Sequence, residues 1–330
     1  MNYIARIVTA ALVWMSAGFG LWPAIADAQD AGGAAGSIAG SPVQRMVVVV
    51  SSVDRSPLRD ELIETAAGMV RGLCRRASID PANVTVLVPD QAFADAMDFR
   101  PPGSDANDGT LPTVVIGDRE TILNTFATAD PADRFWTVVL GYATHRGGYR
   151  LHVPDVDVTG KALVDAIDSV DAKSKVTLWL TPCSGGRLRG LSAPGHVIIT
   201  ATDSDDQING TRMGAVMASV LDDAEPIEDF DGDKNVTLLD AYCASCRTLL
   251  TLYATDELIL TEHAVIDDNG DRRGTAVQLR HIEIPQTGEP DDTYPIDSRP
   301  VPSDDVKTGG TETGDGFEAA TIIMDNNETL

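Results

Sequence analysis

A continuous apolar run near residue 46 is the feature that most restricts the fold of this chain. Met46-Val47-Val48-Val49-Val50 contains no polar position, and four of its five residues are β-branched. A strand with one solvated face alternates apolar and polar residues, whereas a strand covered on both faces does not. The run therefore predicts a strand inside a parallel sheet, with helices covering both faces of that sheet.

Further apolar runs alternate with helical patterns, which is typical of α/β proteins. The other predicted strands are 84–88, 136–141, 176–180 and 197–201. A helix is predicted from Ser56-Pro57 onward, with further helices at 120–128, 159–170, 213–221 and 237–253 and a small hairpin at 149–153. The expected fold is a mostly parallel central sheet flanked by helices.

The charge balance restricts the partners of the chain more than its fold. The 330 residues include 50 acidic and 25 basic ones, for a formal net charge of -25, and 43% of all residues are hydrophobic. A chain of this composition can bury a sizeable core. Its negative charge repels phosphate backbones and anionic lipid headgroups, so we expect no nucleic-acid partner.

The first 28 residues have the pattern of a secretory signal peptide. Arg6 precedes an apolar stretch over 7–21, and Ala26-Asp27-Ala28 supplies the small residues at which signal peptidase cleaves. The stretch is shorter than the roughly 20 residues that span a bilayer, which favours a cleaved signal over a membrane anchor. The sequence thus predicts a periplasmic or secreted protein that begins at Gln29 and retains no membrane segment.

Composition divides the remainder of the chain into three parts. Residues 29–44 form a small-residue linker, residues 45–284 form the folded domain, and residues 285–330 are rich in Pro, Gly, Thr and Asp. Because large apolar residues are few in the last part, an acidic disordered tail is predicted there.

Two predicted strands are followed by segments that contain reactive side chains. Residues 142–148 follow the third predicted strand and include His145, and residues 181–186 follow the fourth and include Cys183. Functional residues in parallel sheets lie beyond the carboxyl ends of the strands, so these two side chains are expected to meet. A thiol beside an imidazole is the arrangement of a cysteine nucleophile with its acid–base partner.

With these two segments the domain resembles the caspase/legumain superfamily of cysteine peptidases, and residues 151–157, 193–202 and 261–271 are similar to a bacterial legumain-like branch. The resemblance implies a caspase-like three-layer sandwich. It also implies an exported cysteine endopeptidase that acts on peptides or proteins without an organic cofactor. Cys183 is then the nucleophile, His145 the acid–base group, and the backbone N–H groups of Cys183 and of Gly147 or Arg146 hold the oxyanion.

The register of these segments leaves an alternative open. The family has Gly-His-Gly after the first of the two strands, and a register that keeps Gly141 at the first glycine places Tyr142 at the histidine. A Cys-x-Gly spacing places the nucleophile on Cys183, whereas the legumain spacing Cys-x-Ser-Gly places it on Pro182. The chain is therefore either a peptidase or a catalytically inactive member of the same fold, acting as a calcium-stabilised binding or scaffolding module.

A second motif, at residues 229–240, has the ligand spacing of an EF-hand-type calcium loop. Its candidate ligands are Asp229, Asp231, Asp233, Asn235, Thr237 and Asp240. Such oxygen-bearing side chains are the ligands that calcium prefers. Lys234 replaces the usual glycine at the sharp turn, and Asp240 is shorter than the usual bidentate glutamate. We expect a structural calcium ion; an acidic turn that caps the helix after Thr237 is the alternative.

Two further patterns are interpreted as structural. Asp267-Asp268-Asn269-Gly270-Asp271 repeats part of the calcium-loop spacing in a shorter run and is interpreted as a turn. Cys243 and Cys246 lie on one apolar helical stripe, which favours packing over metal binding or redox chemistry. A disulfide between them is the alternative in an oxidising compartment.

Overall fold

A computed structural model describes residues 42–52, 56–100, 110–230, 234–276, 315 and 318–324, all within the unit Pro42–Leu330, which we call the second unit because it follows residues 1–41. The predicted signal peptide and residues 29–41 of the predicted linker lie outside the described residues. Within the described ranges, no helix is long and apolar enough to cross a membrane.

Strands and helices alternate along the second unit. The strands are β1 (Gln44–Val50), β2 (Val84–Val88), β3 (Thr113–Ile116), β4 (Ala132–Leu140), β5 (Ala143–His145), β6 (Tyr149–Leu151), β7 (Val158–Thr159), β8 (Ala172–Leu180), β9 (His196–Thr200) and β10 (Val265–Asp267). The helices are α1 (Ser56–Arg76), α2 (Gln91–Ala96), α3 (Arg119–Ala127), α4 (Gly160–Asp168), α5 (Leu188–Leu191), α6 (Met213–Asp222) and α7 (Leu238–Thr255).

Seven of the described strands form one central sheet, in the order β10-β9-β8-β4-β1-β2-β3. Neighbouring strands run parallel except for β9 and β10, which are antiparallel. The strands β5, β6 and β7 form a separate antiparallel sheet. The predicted fold class, a mostly parallel central sheet flanked by helices, is confirmed.

The central sheet is buried on both faces. In β1, Met46, Val48 and Val50 pack into the cluster that includes α1, α6 and α7, whereas Val47 and Val49 pack into the cluster that includes α3 and α4. We call these the α1/α6/α7 face and the α3/α4 face. None of the five side chains is more than 4% exposed. The unbroken apolar run is explained, because neither face of this strand contacts solvent.

Several short elements were not expected from the sequence. They include α2, α5, β3 and β10, and these two strands have only four and three residues. A strand this short carries too few side chains for a pattern to be recognised. The hairpin predicted at 149–153 also differs, because β6 is the middle strand between β5 and β7.

Part of the segment predicted as a disordered tail packs on the domain. The N–H of Leu238 donates to the carbonyl of Ile322 at 2.9 Å, and the N–H of Met324 donates to that of Val236 at 2.8 Å. Ala319, Ile322 and Met324 are buried in the cluster of the α1/α6/α7 face. The prediction is corrected for these residues: apolar side chains are few here, but they cover the start of α7.

Cys243 and Cys246 are packing residues of α7. Both are buried in the cluster of the α1/α6/α7 face, and no disulfide links any of the four cysteines, all of which the structure describes. Burial raises the pKa of Cys246 to about 12, so its thiol stays protonated at neutral pH. The interpretation as packing residues is confirmed.

His196, at the start of β9, is a buried titratable group. Its Nε2 lies 2.9 Å from Oγ1 of Thr177 on β8. Burial, with a smaller contribution from the charge of Lys175, lowers the pKa of His196 from 6.5 to about 4. The folded protein therefore keeps this ring neutral at pH values where the unfolded chain protonates it.

Acidification is expected to destabilise the fold through His196. The unfolded state binds this proton more tightly, so the free energy of unfolding falls between pH 6.5 and about 4, by roughly 3 kcal/mol in total. His196→Gln cannot titrate and should lose this part of the pH dependence. Urea unfolding of both proteins at pH 7 and near pH 4.5 measures it; the same loss of stability in both would contradict the assignment.

Candidate functional site

The candidate site lies where the adjacent parallel strands β4 and β8 end. Leu140 and Leu180, their last residues, are register partners, so the loops that follow leave the sheet side by side. The first loop leads through Tyr142 into β5, whose last residue is His145. The second contains Cys183, shortly after β8. The structure thus places both predicted catalytic residues at one edge of the sheet.

Cys183 is enclosed by the protein. None of its surface is exposed, and it belongs to the apolar cluster of the α3/α4 face with Tyr149 and Trp179. Its φ of +58° is a left-handed conformation that is strained for a residue with a side chain. The N–H of Cys183 donates to the carbonyl of Gln207 at 3.0 Å and so supports this conformation.

The surroundings of Cys183 disfavour a thiolate. Burial raises the pKa of its thiol above the usual value, and the negative charges of Asp205 and Asp206 raise it further. The charge of Arg187 and a hydrogen bond from the backbone N–H of His145 act in the opposite direction but do not outweigh burial. Because the thiolate is the nucleophilic form, Cys183 is a weaker nucleophile at neutral pH than an exposed cysteine.

His145 contacts Cys183 through its backbone, while its ring faces Asp205. Nε2 of His145 lies 3.6 Å from Oδ2 of Asp205. Among the hydrogen bonds of the described residues, the one between His145 and the thiol comes from the backbone N–H and not from the imidazole. The two residues are neighbours, but their side chains do not form a hydrogen-bonded dyad in this conformation.

The expected oxyanion donors are not available together. The N–H of Cys183 is already bonded to Gln207. Arg146 and Gly147 lie in the exposed turn between β5 and β6. In this conformation the N–H of Cys183 is therefore not free to hold an oxyanion.

Asp205 connects the two loops and was not expected from the sequence. Its Oδ1 accepts from the N–H of Gly186 at 3.0 Å, and its Oδ2 accepts from Nη2 of Arg187 at 3.0 Å while facing the ring of His145. The guanidinium of Arg187 lies 5.2 Å from the centre of the Tyr149 ring. The carboxylate of Asp205 thereby fixes the loop after β8 relative to His145, which follows β4.

Thr202 holds the loop after β8 in a similar way. Its Oγ1 accepts from the N–H groups of Ser184 and Gly185, at 2.8 and 3.2 Å. Thr202 and Asp205 both belong to the loop after β9, the next strand of the sheet. Both residues could have been found in the sequence, because they lie in a polar segment that follows a third strand of the sheet.

An apolar groove of about 120 Å³ lies at the same edge, on the α1/α6/α7 face. Its main lining residues come from α1 and from the two strand ends: Leu58, Leu62, Leu140, Tyr142, Leu180 and Pro182. Neither His145 nor Cys183 lines it. A larger cavity, of about 420 Å³, lies between the start of α3 and Asp155 and contains none of the predicted site residues.

Gly141 positions Tyr142 at the groove. Its φ is +102°, which residues with a side chain rarely adopt, and a side chain here would collide with Ser51. The hydroxyl of Ser51 accepts a hydrogen bond from the N–H of Tyr142. The tyrosine side chain is therefore held at the mouth of the groove, where it is 46% exposed.

Asp229 and Lys234, two described residues of the predicted calcium loop, are in contact. Asp229 accepts a hydrogen bond from the N–H of Lys234 at 2.8 Å, and Lys234 has a φ of +73°. The turn that usually requires glycine is present with a lysine, at a cost of about 1–2 kcal/mol. Asp231 and Asp233 lie outside the described residues.

Asp240 is buried and accepts hydrogen bonds from within the loop. Its Oδ1 accepts from the N–H of Phe230 at 2.7 Å, and its Oδ2 accepts from the N–H and the hydroxyl of Thr237 at 2.9 and 2.7 Å. A carboxylate oxygen accepts about two such bonds, so Asp240 can offer one oxygen to a cation but not both. Thr237 also caps α7. Asp240 therefore has one oxygen left for a cation, and together with Thr237 it also forms the capping turn of the alternative.

Comparison with known proteins gives a limited result. No family model and no curated protein matches the chain. Among solved structures, the chain is similar to the X-ray structure of a secreted C11 cysteine protease from Bacteroides thetaiotaomicron in complex with an irreversible peptide inhibitor. The two are 15% identical with a TM-score of 0.37, over 68% of this chain and 66% of that chain, slightly less than two thirds of its length. At this level of similarity, function has to be argued from the residues of this chain.

Cys183 is expected to react slowly in the folded protein. Because its thiol is buried and its pKa is raised, N-ethylmaleimide at pH 7.5 should alkylate it at least roughly tenfold more slowly than it alkylates glutathione. His145→Ala should leave this rate unchanged, since the imidazole does not bond to the thiol. Mass spectrometry of tryptic peptides measures the rate; fast labelling that His145→Ala slows would indicate an activated nucleophile.

Proposed function

We propose that this chain is an exported, non-catalytic relative of the caspase/legumain-type peptidases that binds a peptide segment of a partner protein. The observation that carries the proposal is the lining of the groove by Tyr142 and Pro182. These are the positions that the legumain register assigns to the catalytic histidine and cysteine. Export is proposed from the signal-peptide pattern of the first 28 residues.

Tyr142 and Pro182 cannot supply the chemistry of a cysteine peptidase. Pro182 has no nucleophilic atom, and the phenol of Tyr142 cannot replace an imidazole that exchanges protons near neutral pH. Cys183 packs into the α3/α4 face, whereas the groove opens on the α1/α6/α7 face. A ligand in the groove therefore meets a shaped apolar surface and no reactive thiol.

The groove indicates the kind of ligand. A volume of about 120 Å³ accommodates one medium-sized apolar side chain rather than a small-molecule cofactor. Leucine side chains and the exposed ring of Tyr142 supply apolar contacts, and Glu61 lies at the rim. With a net charge of -25, the protein attracts basic peptides. The proposed ligand is an extended peptide with an apolar anchor next to a basic residue.

A second candidate function, cysteine peptidase activity at Cys183 and His145, is favoured by one observation. The backbone N–H of His145 reaches the thiol, and Asp205 lies beside the imidazole, so the two side chains need only local rearrangement to meet. In that arrangement the thiolate attacks the peptide carbonyl, and the imidazolium protonates the leaving amine.

Calcium binding at residues 229–240 is proposed as a structural contribution to this module. It is supported by the hydrogen bond from Lys234 to Asp229 and by the left-handed backbone of Lys234, the conformation that glycine usually supplies at this position. The loop leads directly into α7, whose apolar side chains belong to the core. An ion bound only by the folded state stabilises it by about 2.7 kcal/mol at a hundredfold excess over Kd.

Tyr142→Ala is expected to weaken peptide binding without affecting the fold, because the side chain is largely exposed and forms one wall of the groove. Peptides selected from a random library on the intact protein are labelled with fluorescein, and their Kd is measured by fluorescence anisotropy. We expect at least a roughly tenfold increase in Kd, as for aromatic residues at binding hot spots.

Val156→Ala is the matched control for this experiment. Val156 is also exposed but lines the larger cavity near α3, so its truncation should leave Kd unchanged. The wild-type protein should cleave none of the selected peptides, with or without calcium. Cleavage that Cys183→Ala abolishes would support the peptidase and reject the non-catalytic module.

Removal of the loop carboxylates is expected to remove one calcium ion per chain. Without a cation these carboxylates repel one another, and calcium relieves the repulsion. The wild type should melt at a higher temperature in calcium than in EGTA, and Asp229→Ala/Asp231→Ala should bind one ion fewer, as measured by equilibrium dialysis. An unchanged number of bound ions would identify the loop as a capping turn only.

A further inference from the structure

Three carboxylates from distant parts of the sequence meet beyond the end of β10. Asp267 is the last residue of this strand, Asp271 lies in the turn that follows, and Asp315 belongs to a later segment. One carboxylate oxygen from each lies within 4.8 Å of those of the other two. None of these residues lines the groove or belongs to the 229–240 loop.

Protein groups satisfy only part of this cluster. Asp267 is completely buried and Asp315 is 8% exposed. Oδ2 of Asp267 has no well-formed hydrogen bond within the described part of the chain, although the hydroxyl of Ser192 interacts with this carboxylate and lowers its pKa. None of the ion pairs found among the described residues includes any of the three aspartates. A buried carboxylate oxygen without a well-formed hydrogen bond is unfavourable, and it points to a positively charged ligand.

The remaining oxygens are held in place by hydrogen bonds. Oδ1 of Asp267 accepts from the N–H of Gly270 at 3.3 Å, while Asp315 accepts from the N–H of Asp268 at 3.4 Å and from the hydroxyl of Thr275 at 2.5 Å. Burial raises the pKa of both Asp267 and Asp315 to about 6, and the neighbouring carboxylates add to the effect. The cluster is therefore shaped by the protein but short of positive charge.

We propose that Asp267, Asp271 and Asp315 form a second site for a divalent cation of the size of calcium. Calcium takes oxygen ligands at 2.3–2.6 Å, so ligand atoms around one ion are up to about 5 Å apart, in agreement with the separations here. Calcium accepts irregular sets of carboxylate oxygens, whereas magnesium demands a near-ideal octahedron and gives up its water reluctantly. Asp271 is exposed, so water can reach the site and complete the coordination.

The site has a structural consequence, because its ligands join two regions that are distant in sequence. The same turn already contacts the later segment: Oδ2 of Asp268 accepts from the N–H of Ala319 at 2.8 Å. A cation shared by Asp267 and Asp315 therefore fastens that segment to β10. The turn at 267–271 is one half of the site, and Asp315 supplies the half that sequence spacing does not reveal.

Calcium titration of the full chain tests this site separately from the 229–240 loop. In the background Asp229→Ala/Asp231→Ala, isothermal titration calorimetry should still detect one bound calcium ion per chain. Adding Asp271→Asn should weaken this binding at least roughly tenfold, since it removes a charged ligand from an exposed position. Adding Asp171→Asn, which changes an exposed aspartate just before β8, should leave the binding unchanged.

Hydrogen exchange gives a second readout. It uses a substitution at an exposed position, so the result does not depend on whether a protein with a buried ligand replaced still folds. In the same background, calcium should slow exchange of the backbone amides of Ala319 and Ile322, and Asp271→Asn should remove this protection. No calcium binding at 5 mM in the background protein, or equal binding by the Asp271→Asn and Asp171→Asn proteins, would overturn the proposal. The groove and its peptide ligand are unaffected by either result.

Discussion

Burial of the central sheet on both faces is the constraint from which the rest of the structure follows. With α1, α6 and α7 on one face and α3 and α4 on the other, the inner strands β1, β4 and β8 contact solvent only at their ends. Loops that follow parallel strands then emerge at the same edge. The groove, the two predicted catalytic residues and Asp205 are all found there because of this topology.

At that edge, the loops hold one another in a fixed shape. Thr202 and Asp205, from the loop after β9, accept hydrogen bonds from backbone N–H groups of the loop after β8. As a result, Cys183 has a left-handed backbone, and its N–H is hydrogen-bonded to Gln207. Its thiol is packed among apolar side chains. Such an arrangement presents a stable surface, in keeping with recognition, whereas a nucleophile has to be accessible and ionised.

The interior of the sheet could be predicted from the sequence because long β-branched runs occur where both faces are covered, as in Met46–Val50. The edge strand β10 could not be predicted, because three residues are too few to show an alternation of apolar and polar positions. The meeting of His145 and Cys183 follows from topology, but the direction of each side chain does not. That direction depends on the φ of Cys183 and on contacts with Asp205, which lies on a different loop and has no fixed spacing from either residue.

The docking of Ile322 and Met324 beside the start of α7 has a consequence for the order of folding. Their hydrogen bonds to Leu238 and Val236 join residues that are distant in sequence, and such contacts pay the entropy of loop closure before they add stability. As the chain is synthesised, the apolar surface at the start of α7 stays uncovered until these residues are available. The strands and the first helices precede these residues in the chain, so Ile322 and Met324 can pack only on a surface that is synthesised before them.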